Sequence, residues 1–337
     1  MLIGLAAVCC LLAVEAHDSK AIAQANLGVN LARQAKYREA AQAYERAIAI
    51  DPSLPGIYLN LGLAWFKLGK FREASEAFEK EDARTPSDRA KTLLAMSYFG
   101  MGEYRRASER LKPLAEAQPE NAELSYLLAK CYLWSGQRKE AMDLFQRLLE
   151  RDPNSAAVHM LLGEAYDAEY RTQDAIREFE AASKAAPKQA DVHFGLGYLY
   201  WKQKRYEDAE REFREELKND PRNAQAMAYL GDTAMRRGRN EEAIALLRKS
   251  VELRKDLHVA HVDLGILYAQ EKRNEEAVRE FRAAIDADPA NYDAHYRLAR
   301  LYRELGRTAE AEKEFAVVQK LHQKKTEEPL MKVSGPE

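Results

Sequence analysis

The chain has 337 residues, with 52 Lys and Arg against 54 Asp and Glu, so its formal net charge is only −2. That balance excludes the basic surface that nucleic-acid binding needs, and a hydrophobic content of 46% excludes wholesale disorder. With only 16 Gly and 11 Pro, and with Ala, Leu, Glu, Lys and Arg abundant, the composition predicts an all-helical protein.

The N-terminus begins with an apolar stretch over residues 2–14. It is shorter than the roughly 20 residues that a helix needs to cross a bilayer. Small residues at Val14 and Ala16 match a signal-peptidase site, so residues 1–16 predict a cleaved export signal, followed by a short lead over 17–20. A periplasmic or secreted location follows from this prediction. Because no Lys or Arg precedes the stretch, an uncleaved membrane anchor or an apolar first helix is the alternative.

Cleavage of the predicted signal would also change the number of cysteines in the mature protein. Cys9 and Cys10 lie inside the apolar stretch, so the mature protein would keep Cys131 alone. One cysteine cannot form an internal disulfide, and the stability of the chain must come from packing. We expect the Cys131 thiol to be buried.

Three sets of equivalent residues recur along the chain at spacings of 33 or 34 residues. The first set is proline, with one gap of twice the spacing: Pro52, Pro86, Pro119, Pro153, Pro187, Pro221 and Pro289. The second set is alanine: Ala40, Ala74, Ala107, Ala141, Ala175, Ala209, Ala243, Ala277 and Ala311. The third set is glycine or alanine: Gly28, Gly62, Ala95, Ala129, Gly163, Gly197, Gly231, Gly265 and Ala299.

This pattern resembles the tetratricopeptide repeat, whose unit is a 34-residue pair of antiparallel helices. The resemblance implies an all-α fold, a right-handed superhelical solenoid of nine tandem helix–turn–helix repeats over residues 21–323. With each proline placed at position 32, the repeats start near residues 21, 55, 88, 122, 156, 190, 224, 258 and 292. Residues 324–337 are then the end of the last helix, near Lys325, and a disordered tail.

Each set of equivalent residues has a physical reason. Gly or Ala at position 8 and Ala at position 20 let the two helices of a repeat approach to about 8–10 Å. Around them, large side chains fill the core at position 7 (Leu27, Leu61, Leu94, Leu128, Leu162, Leu196, Leu230, Leu264 and Leu298). The second helix supplies others at position 24 (Tyr44, Phe78, Leu111, Phe145, Phe179, Phe213, Leu247, Phe281 and Phe315). A left-handed glycine is expected to end the first helix in five repeats (Gly69, Gly102, Gly136, Gly238 and Gly306).

Departures from the pattern yield three further predictions. Lys255 replaces the proline of the seventh repeat, so that helix is expected to run on into the next repeat. Pro113 lies inside a second helix, where a proline costs about 3 kcal/mol and introduces a kink. Glu81 and Glu216 occupy a position that is usually small, which indicates a partly exposed edge.

No motif predicts catalysis. The chain has no phosphate-binding glycine loop, paired-cysteine motif or nucleophile elbow, so we expect a protein that is not an enzyme and carries no cofactor. Four histidines, His159, His193, His261 and His295, occupy position 4 of their repeats. Neighbouring copies would lie at least one helix spacing apart, too far to share a metal ion, so we interpret them as structural and expect no metal site.

The resemblance places a binding groove on the first helices, which line the inner, concave face in this family through positions 2, 5, 9, 12 and 13. In repeats two to six those positions are rich in aromatic and flexible apolar residues, and they form our candidate partner-binding set. Its members are Leu59, Leu63, Phe66, Met96, Phe99, Tyr126, Trp134, Met160, Phe194, Tyr198 and Trp201. The alternative is that neighbouring inner helices cover these side chains and leave no continuous patch.

One binding mode of the family is excluded by the residues present. Members that clamp a terminal carboxylate use Lys and Asn at positions 5 and 9. Here those positions hold Ala25 and Val29 in the first repeat and Leu59 and Leu63 in the second.

We therefore expect a non-catalytic, exported scaffold that binds a protein or peptide partner in the concave groove. An alternative is a carrier that binds glycans or lipids on the aromatic groove. Another is an accessory subunit of a larger enzyme or of a secretion or envelope assembly. No polar capping helix is evident after the ninth repeat, so self-association through the C-terminal repeat is also expected.

Overall fold

The computed structural model describes residues 19–331, with side chains up to residue 323. The predicted signal over residues 1–16, with Cys9 and Cys10, and the last six residues of the predicted tail lie outside the described residues. Within 19–331 the chain forms eighteen α-helices and no strand. No helix in this part of the chain combines the length and the apolar character that crossing a membrane requires.

The helices follow one another in pairs, and the predicted all-α architecture of nine repeats is confirmed. Helix α1 spans residues 19–33. The others are α2 (Tyr37–Ile50), α3 (Ile57–Lys67), α4 (Phe71–Arg84), α5 (Asp88–Gly100), α6 (Tyr104–Ala117), α7 (Ala122–Trp134), α8 (Arg138–Arg151), α9 (Ala156–Ala168), α10 (Thr172–Ala185), α11 (Val192–Lys202), α12 (Tyr206–Asn219), α13 (Ala224–Arg236), α14 (Asn240–Leu253), α15 (His258–Gln270), α16 (Asn274–Ala287), α17 (Tyr292–Glu304) and α18 (Thr308–Met331). They form two compact bodies, an N-terminal body of α1–α8 and a C-terminal body of α9–α18 that begins at Asn154.

The close approach of the two helices in each repeat rests on position 8. A Cβ atom added to Gly197 would lie 2.8 Å from the Phe213 ring and 3.3 Å from the Ala209 carbonyl oxygen. Both Phe213 and Ala209 are fully buried. The position-8 glycines of the other repeats meet their own position-24 side chain in the same way. The predicted core contact is therefore confirmed, and it recurs at the same register in both bodies.

The turn between the two helices uses a left-handed residue in every repeat. The five predicted glycines have φ between 72° and 83°. In the four repeats that lack glycine, the equivalent residues are Ala35, Tyr170, Lys204 and Lys272, and their φ values are 58° to 60°. An L-residue in this region carries a steric cost of about 1–2 kcal/mol, so the turn geometry is imposed by the packing of the helices on either side.

Two predictions about chain continuity need correction. Helix α14 ends at Leu253 although no proline follows it, because Arg254 adopts an extended conformation and the carbonyl oxygen of Lys255 lies 3.0 Å from Nε2 of His261. Helix α18 continues to Met331, beyond the end that we predicted near Lys325. Residues 323–328 include two Lys, two Glu and one Gln, all strong helix formers, and they favour the extension as far as Pro329, which does not itself favour a helix.

The first repeat is less enclosed than the sequence predicts. Leu27 was expected in the core, yet 41% of its surface is exposed, and Ile22 on the same helix is 47% exposed. The described residues contain no helix pair before α1 that could cover these side chains. Pro113 lies inside α6, which continues to Ala117, so this proline does not end the helix.

Candidate interaction surfaces

The eleven side chains of the predicted binding set lie on the first helices α3, α5, α7, α9 and α11, and none of them is fully buried. Seven belong to the N-terminal body: Leu59, Leu63, Phe66, Met96, Phe99, Tyr126 and Trp134. Four belong to the C-terminal body: Met160, Phe194, Tyr198 and Trp201. We call the side of each body that carries them its first-helix face.

In the N-terminal body, three of the predicted aromatic residues surround a lysine. The Lys130 ammonium lies 5.2 Å from the ring centre of Phe99, 5.5 Å from that of Tyr126 and 5.0 Å from that of Trp134. Tyr104 packs against both Phe99 and Trp134. Each cation–π contact between the Lys130 ammonium and a ring contributes about 0.5–2 kcal/mol. The ring faces of this cluster are thus engaged by the protein's own lysine, which the sequence prediction did not include.

In the C-terminal body, three rings are stacked along α11. The ring centres of Phe194 and Tyr198 are 6.5 Å apart, and those of Tyr198 and Trp201 are 6.0 Å apart. Tyr229 on α13 packs edge-on against all three, at 5.2–5.8 Å. Burial raises the pKa of Tyr229 to about 12. We call Phe194, Tyr198, Trp201 and Tyr229 the aromatic cluster.

Tyr229 was missed by the sequence prediction because it occupies position 6 of its repeat, which is not one of the positions that the resemblance assigns to the groove. Residues at this position can pack against the first helix of the preceding repeat, as Tyr229 does on α11. The alternative, in which a neighbouring inner helix covers the candidate side chains, therefore applies to the edge of the cluster that Tyr229 contacts. Phe194, Tyr198 and Trp201 nevertheless keep part of their surface open.

The indole of Trp201 is held by polar contacts. Its Nε1–H donates to Asp232, which also accepts a 2.6 Å hydrogen bond from Nε of Arg236. The Arg236 guanidinium lies 5.4 Å from the Trp201 ring centre. Burial of Asp263, together with the negative charge of Asp232, raises the pKa of Asp263 well above its ordinary value. The protonated form of Asp263 is therefore favoured. The hydrogen bond to Asp232 and the contact with Arg236 orient the Trp201 ring in the absence of a partner.

A groove of about 440 Å³ opens beside the aromatic cluster, lined by residues of α9 and α11 and of the segments near them. Its apolar wall includes Met160, Phe194 and Tyr198, three of the four residues predicted for this body. Its polar lining includes the carboxylates of Glu164, Asp167 and Asp191. We call it the acidic groove.

A buried glutamate sets the start of α11 and hence the place of Phe194. The Glu216 side chain is only 1% exposed, and its carboxylate accepts hydrogen bonds from the backbone N–H groups of Asp191 (3.2 Å) and Phe194 (3.1 Å) and from the Asn223 amide (3.3 Å). Glu81, 7% exposed, accepts in the same way from the backbone N–H of Leu59.

The prediction of a partly exposed edge at these two glutamates is therefore wrong. Helices α3 and α11 have N-cap residues in the left-handed conformation, Gly56 and Asp191. Gly56 has no side chain that could cap its helix, and the side chain of Asp191 does not cap α11. The first backbone N–H groups of a helix need acceptors, and a carboxylate from the second helix of the same repeat supplies them.

The four histidines of position 4 each contact a glutamate of their own repeat. Nδ1 lies 2.6–2.8 Å from the carboxylate in the pairs His159–Glu178, His193–Glu212, His261–Glu280 and His295–Glu314. In the last three, Nε2 also lies 3.0–3.2 Å from the backbone carbonyl oxygen six residues earlier.

Both ring nitrogens of these three histidines therefore face acceptors, an arrangement that the imidazolium form satisfies. For His261, burial alone would lower the pKa, but the hydrogen bonds with Glu280 and with the Lys255 carbonyl outweigh it and raise the pKa above its ordinary value. Each pair ties the first helix of a repeat to the second. Among the described residues, no group of His, Cys, Asp and Glu is arranged to hold a metal ion.

Comparison with known families agrees with this architecture. Models described as "Tetratricopeptide repeat" match residues 98–165 and 268–328, and residues 160–216 and 194–257, and one described as "TPR repeat" matches 30–69. The chain belongs to the tetratricopeptide repeat family. No curated protein matches it in sequence.

Solved structures show the same fold. PilF of Pseudomonas aeruginosa is similar with a TM-score of 0.55 and 20% identity, over 65% of this chain and 100% of that one. One chain of the APC/C hetero-tetramer Cut9–Hcn1 is similar with a TM-score of 0.59 and 13% identity, over 89% of this chain and 73% of that one.

Proposed function

We propose that this protein is a non-catalytic scaffold that binds a peptide or protein segment on the first-helix face of its C-terminal body. The aromatic cluster carries the proposal. Aromatic side chains contribute most to the affinity of protein interfaces, and here three of them are partly exposed and already ordered by stacking and by the Trp201–Asp232 hydrogen bond. A surface that is ordered before binding loses less conformational entropy when the partner arrives.

The C-terminal body is the better candidate of the two. Cations lie against the rings of both bodies: Lys130 contacts three rings of the N-terminal body, and Lys202 and Arg236 contact Tyr198 and Trp201 of the C-terminal body. In the C-terminal body, the rings lie beside the acidic groove, which offers room for a partner side chain.

The roles of the histidines support the non-catalytic part of the proposal. Histidine is the side chain most often used for general acid–base catalysis. The four at position 4 are instead paired with glutamates inside their own repeats, where they join two helices. We also propose that the protein is exported, with cleavage after Ala16. That proposal rests on the sequence of residues 1–16 alone.

Replacing Tyr198 and Trp201 together by Ala should lower the affinity for a bound peptide at least about tenfold, because two ordered rings are removed from the binding surface. The measurement is the titration of peptides selected from a random library, followed by fluorescence anisotropy. Helical circular dichroism should stay unchanged.

The matched control for this experiment is Tyr170→Ala, because Tyr170 is 91% exposed in a turn of the same body. It should leave the affinity unchanged. Loss of helical signal in the double variant would identify Tyr198 and Trp201 as core residues, and unchanged affinity would refute the proposed surface.

A further inference from the structure

In five repeats an arginine of the second helix lies over the tyrosine at position 11 of the first helix. The guanidinium carbon is 4.1–4.5 Å from the ring centre in the pairs Arg106–Tyr98, Arg171–Tyr166, Arg205–Tyr200, Arg273–Tyr268 and Arg307–Tyr302.

Each of these arginines also contacts a carboxylate of its own repeat. Four of them stand at position 16 and pair with the acidic residue at position 19, which is Asp174, Asp208, Glu276 or Glu310. In the third repeat the two positions are exchanged, and Arg106 pairs with Glu103. A guanidinium between a ring face and a carboxylate is therefore the usual arrangement at this place in the repeat.

The fourth repeat keeps the tyrosine and the carboxylate but lacks the arginine. Tyr132 stands at position 11 and Glu140 at position 19, whereas position 16 is Gln137. The side-chain oxygen of Gln137 accepts a 3.0 Å hydrogen bond from the Ser135 hydroxyl. Within the part of the chain that the structure describes, no cation lies over the Tyr132 ring or forms an ion pair with Glu140.

A cavity of about 480 Å³ opens at this place, lined by residues of α6, α7 and α8, including Tyr132 and Glu140. The eighth repeat has a cavity in the same register, lined by Tyr268, Arg273 and Glu276, with a volume of about 250 Å³. The cavity is thus about half as large where the arginine is present. Tyr132 is also the most exposed of the six tyrosines at position 11. We call the larger space the Tyr132 cavity.

The charges that act on Tyr132 are negative. Burial, and after it the charges of Glu140 and Glu116, raise the pKa of Tyr132. A cation beside the ring would contact the ring face and lie close to these carboxylates, which are the two kinds of partner that the arginines have in the other repeats.

Three cations of the chain line the cavity, but each is placed elsewhere. Nζ of Lys112 lies 3.9 Å from the Glu116 carboxylate. Arg151 donates a 2.9 Å hydrogen bond to the Pro119 carbonyl oxygen and lies 3.3 Å from a carboxylate oxygen of Glu120. Arg147 follows Glu140 by about two helical turns, or about 10 Å along α8.

We propose that the Tyr132 cavity binds a guanidinium group that an arginine residue of a partner polypeptide supplies. The guanidinium lies over the Tyr132 ring and pairs with Glu140, as Arg273 does with Tyr268 and Glu276. Leu128, Leu144 and Leu148 line the rest of the cavity and offer apolar surface to the arginine stem and to a neighbouring side chain. This site lies in the N-terminal body and is separate from the aromatic cluster.

The probe is Nα-acetyl-arginine methylamide, a minimal arginine residue, titrated into the full chain. Methyl NMR signals of Leu128, Leu144 and Leu148 report on the cavity and should shift to saturation. The citrulline analogue has nearly the same shape without the charge, and it should bind at least about tenfold more weakly. Equal affinity of the two compounds would refute a cation site.

A second comparison identifies the source of the guanidinium. A ten-residue peptide with one arginine between two leucines should bind at least about tenfold more tightly than free L-arginine, because its leucines bury apolar surface in the cavity. Free arginine that binds as tightly as the peptide would overturn the assignment to a polypeptide.

The decisive variant is Gln137→Arg, which supplies the guanidinium from the chain itself. Arginine is the residue before the second helix in four other repeats, at Arg171, Arg205, Arg239 and Arg273, so the backbone accepts it. The variant should lose binding of the arginine compound and unfold at a higher temperature. The matched control Gln137→Met should keep the affinity within twofold and show no such increase.

Unchanged binding in the Gln137→Arg variant refutes the proposed site. If that variant loses helical circular dichroism, Glu140→Gln at an exposed position replaces it and should weaken binding about threefold, with unchanged affinity refuting the pairing. The Tyr198→Ala/Trp201→Ala variant should bind the arginine compound normally, whatever the outcome for the proposed function. Loss of binding there would move the contact to the aromatic cluster and overturn the inference.

Discussion

Replacing Glu216 by Ala should lower the free energy of unfolding of the C-terminal body by about 3 kcal/mol. The carboxylate is buried and accepts from two backbone N–H groups at the start of α11 and from the Asn223 amide. Each buried donor left without an acceptor costs about 1–3 kcal/mol. Alanine also leaves a cavity in place of the side chain.

Urea unfolding, together with hydrogen exchange of the α11 amides, measures this effect. Exchange is the sharper readout, because repeat proteins can unfold in parts and the loss should be largest where the cap is removed. The control is Glu215→Ala on the same helix, whose partner is the exposed Lys218. That change should cost less than about 0.5 kcal/mol. Equal effects of the two substitutions would contradict the capping role of Glu216.

Replacing Gly197 by Leu should destabilise the sixth repeat by about 2 kcal/mol. The new Cβ would stand 2.8 Å from the Phe213 ring and 3.3 Å from the Ala209 carbonyl oxygen, and neither atom lies at the end of a flexible side chain. The two helices must therefore move apart, and overpacking of a core costs about 1–3 kcal/mol or more. The higher helix propensity of Leu, worth about 1 kcal/mol, recovers only part of this loss.

Gly197→Ala provides a graded control for that substitution. In the fourth repeat Ala129 occupies the same position, opposite Phe145, and both are fully buried. A single methyl group should therefore be accommodated at a smaller cost than the Leu side chain. Thermal unfolding of the two variants tests the order, and a Leu variant as stable as the Ala variant would show that the helices of this repeat are not in close contact.

The fold was predictable because equivalent residues make the same helix–helix contact in each repeat. Gly197 and Phe213 meet as Gly62 and Phe78 do, so the spacing of these residues in the sequence determined the helix pairs. The exposed Leu27 was not predictable in this way. Its position is buried in the later repeats, but the described residues contain no helix pair before α1 to cover it.

The capping glutamates were missed because their burial depends on residues far away in the sequence. From the sequence alone, a Glu at position 27 is expected to be exposed. Its burial can be expected only if the start of the first helix, 22 residues earlier, is known to lack a side-chain cap. The helices that follow Gly56 and Asp191 lack one. Both glutamates belong to repeats whose first helix begins two residues later than its predicted start, at Ile57 and Val192. The absence of Ser or Asn at the N-cap is not a specific signal, because the N-cap of α15 is Leu257.

The candidate surface was predicted in part. Positions 5, 9 and 12 correctly placed Phe194, Tyr198 and Trp201 on one helix face. Tyr229 and Lys130 contact the first-helix faces through packing between side chains of adjacent repeats. The spacing of the repeats alone does not determine this packing.

The carboxylates of the acidic groove stand at positions that the resemblance assigns to the concave face, Glu164 at position 9, Asp167 at position 12 and Asp191 at position 2. They were left out because the candidate set included only aromatic and flexible apolar residues.

The most direct test of the proposed scaffold is cross-linking from defined positions on the full chain. A benzophenone amino acid is placed at Tyr198 in one variant and at the exposed Tyr170 in another. Both are irradiated with the selected peptide bound, and the cross-linked fragments are sequenced. We expect the peptide to cross-link from position 198 and not from position 170. Cross-linking from 170 alone, or none from 198 at saturating peptide, would contradict binding on the first-helix face of the C-terminal body.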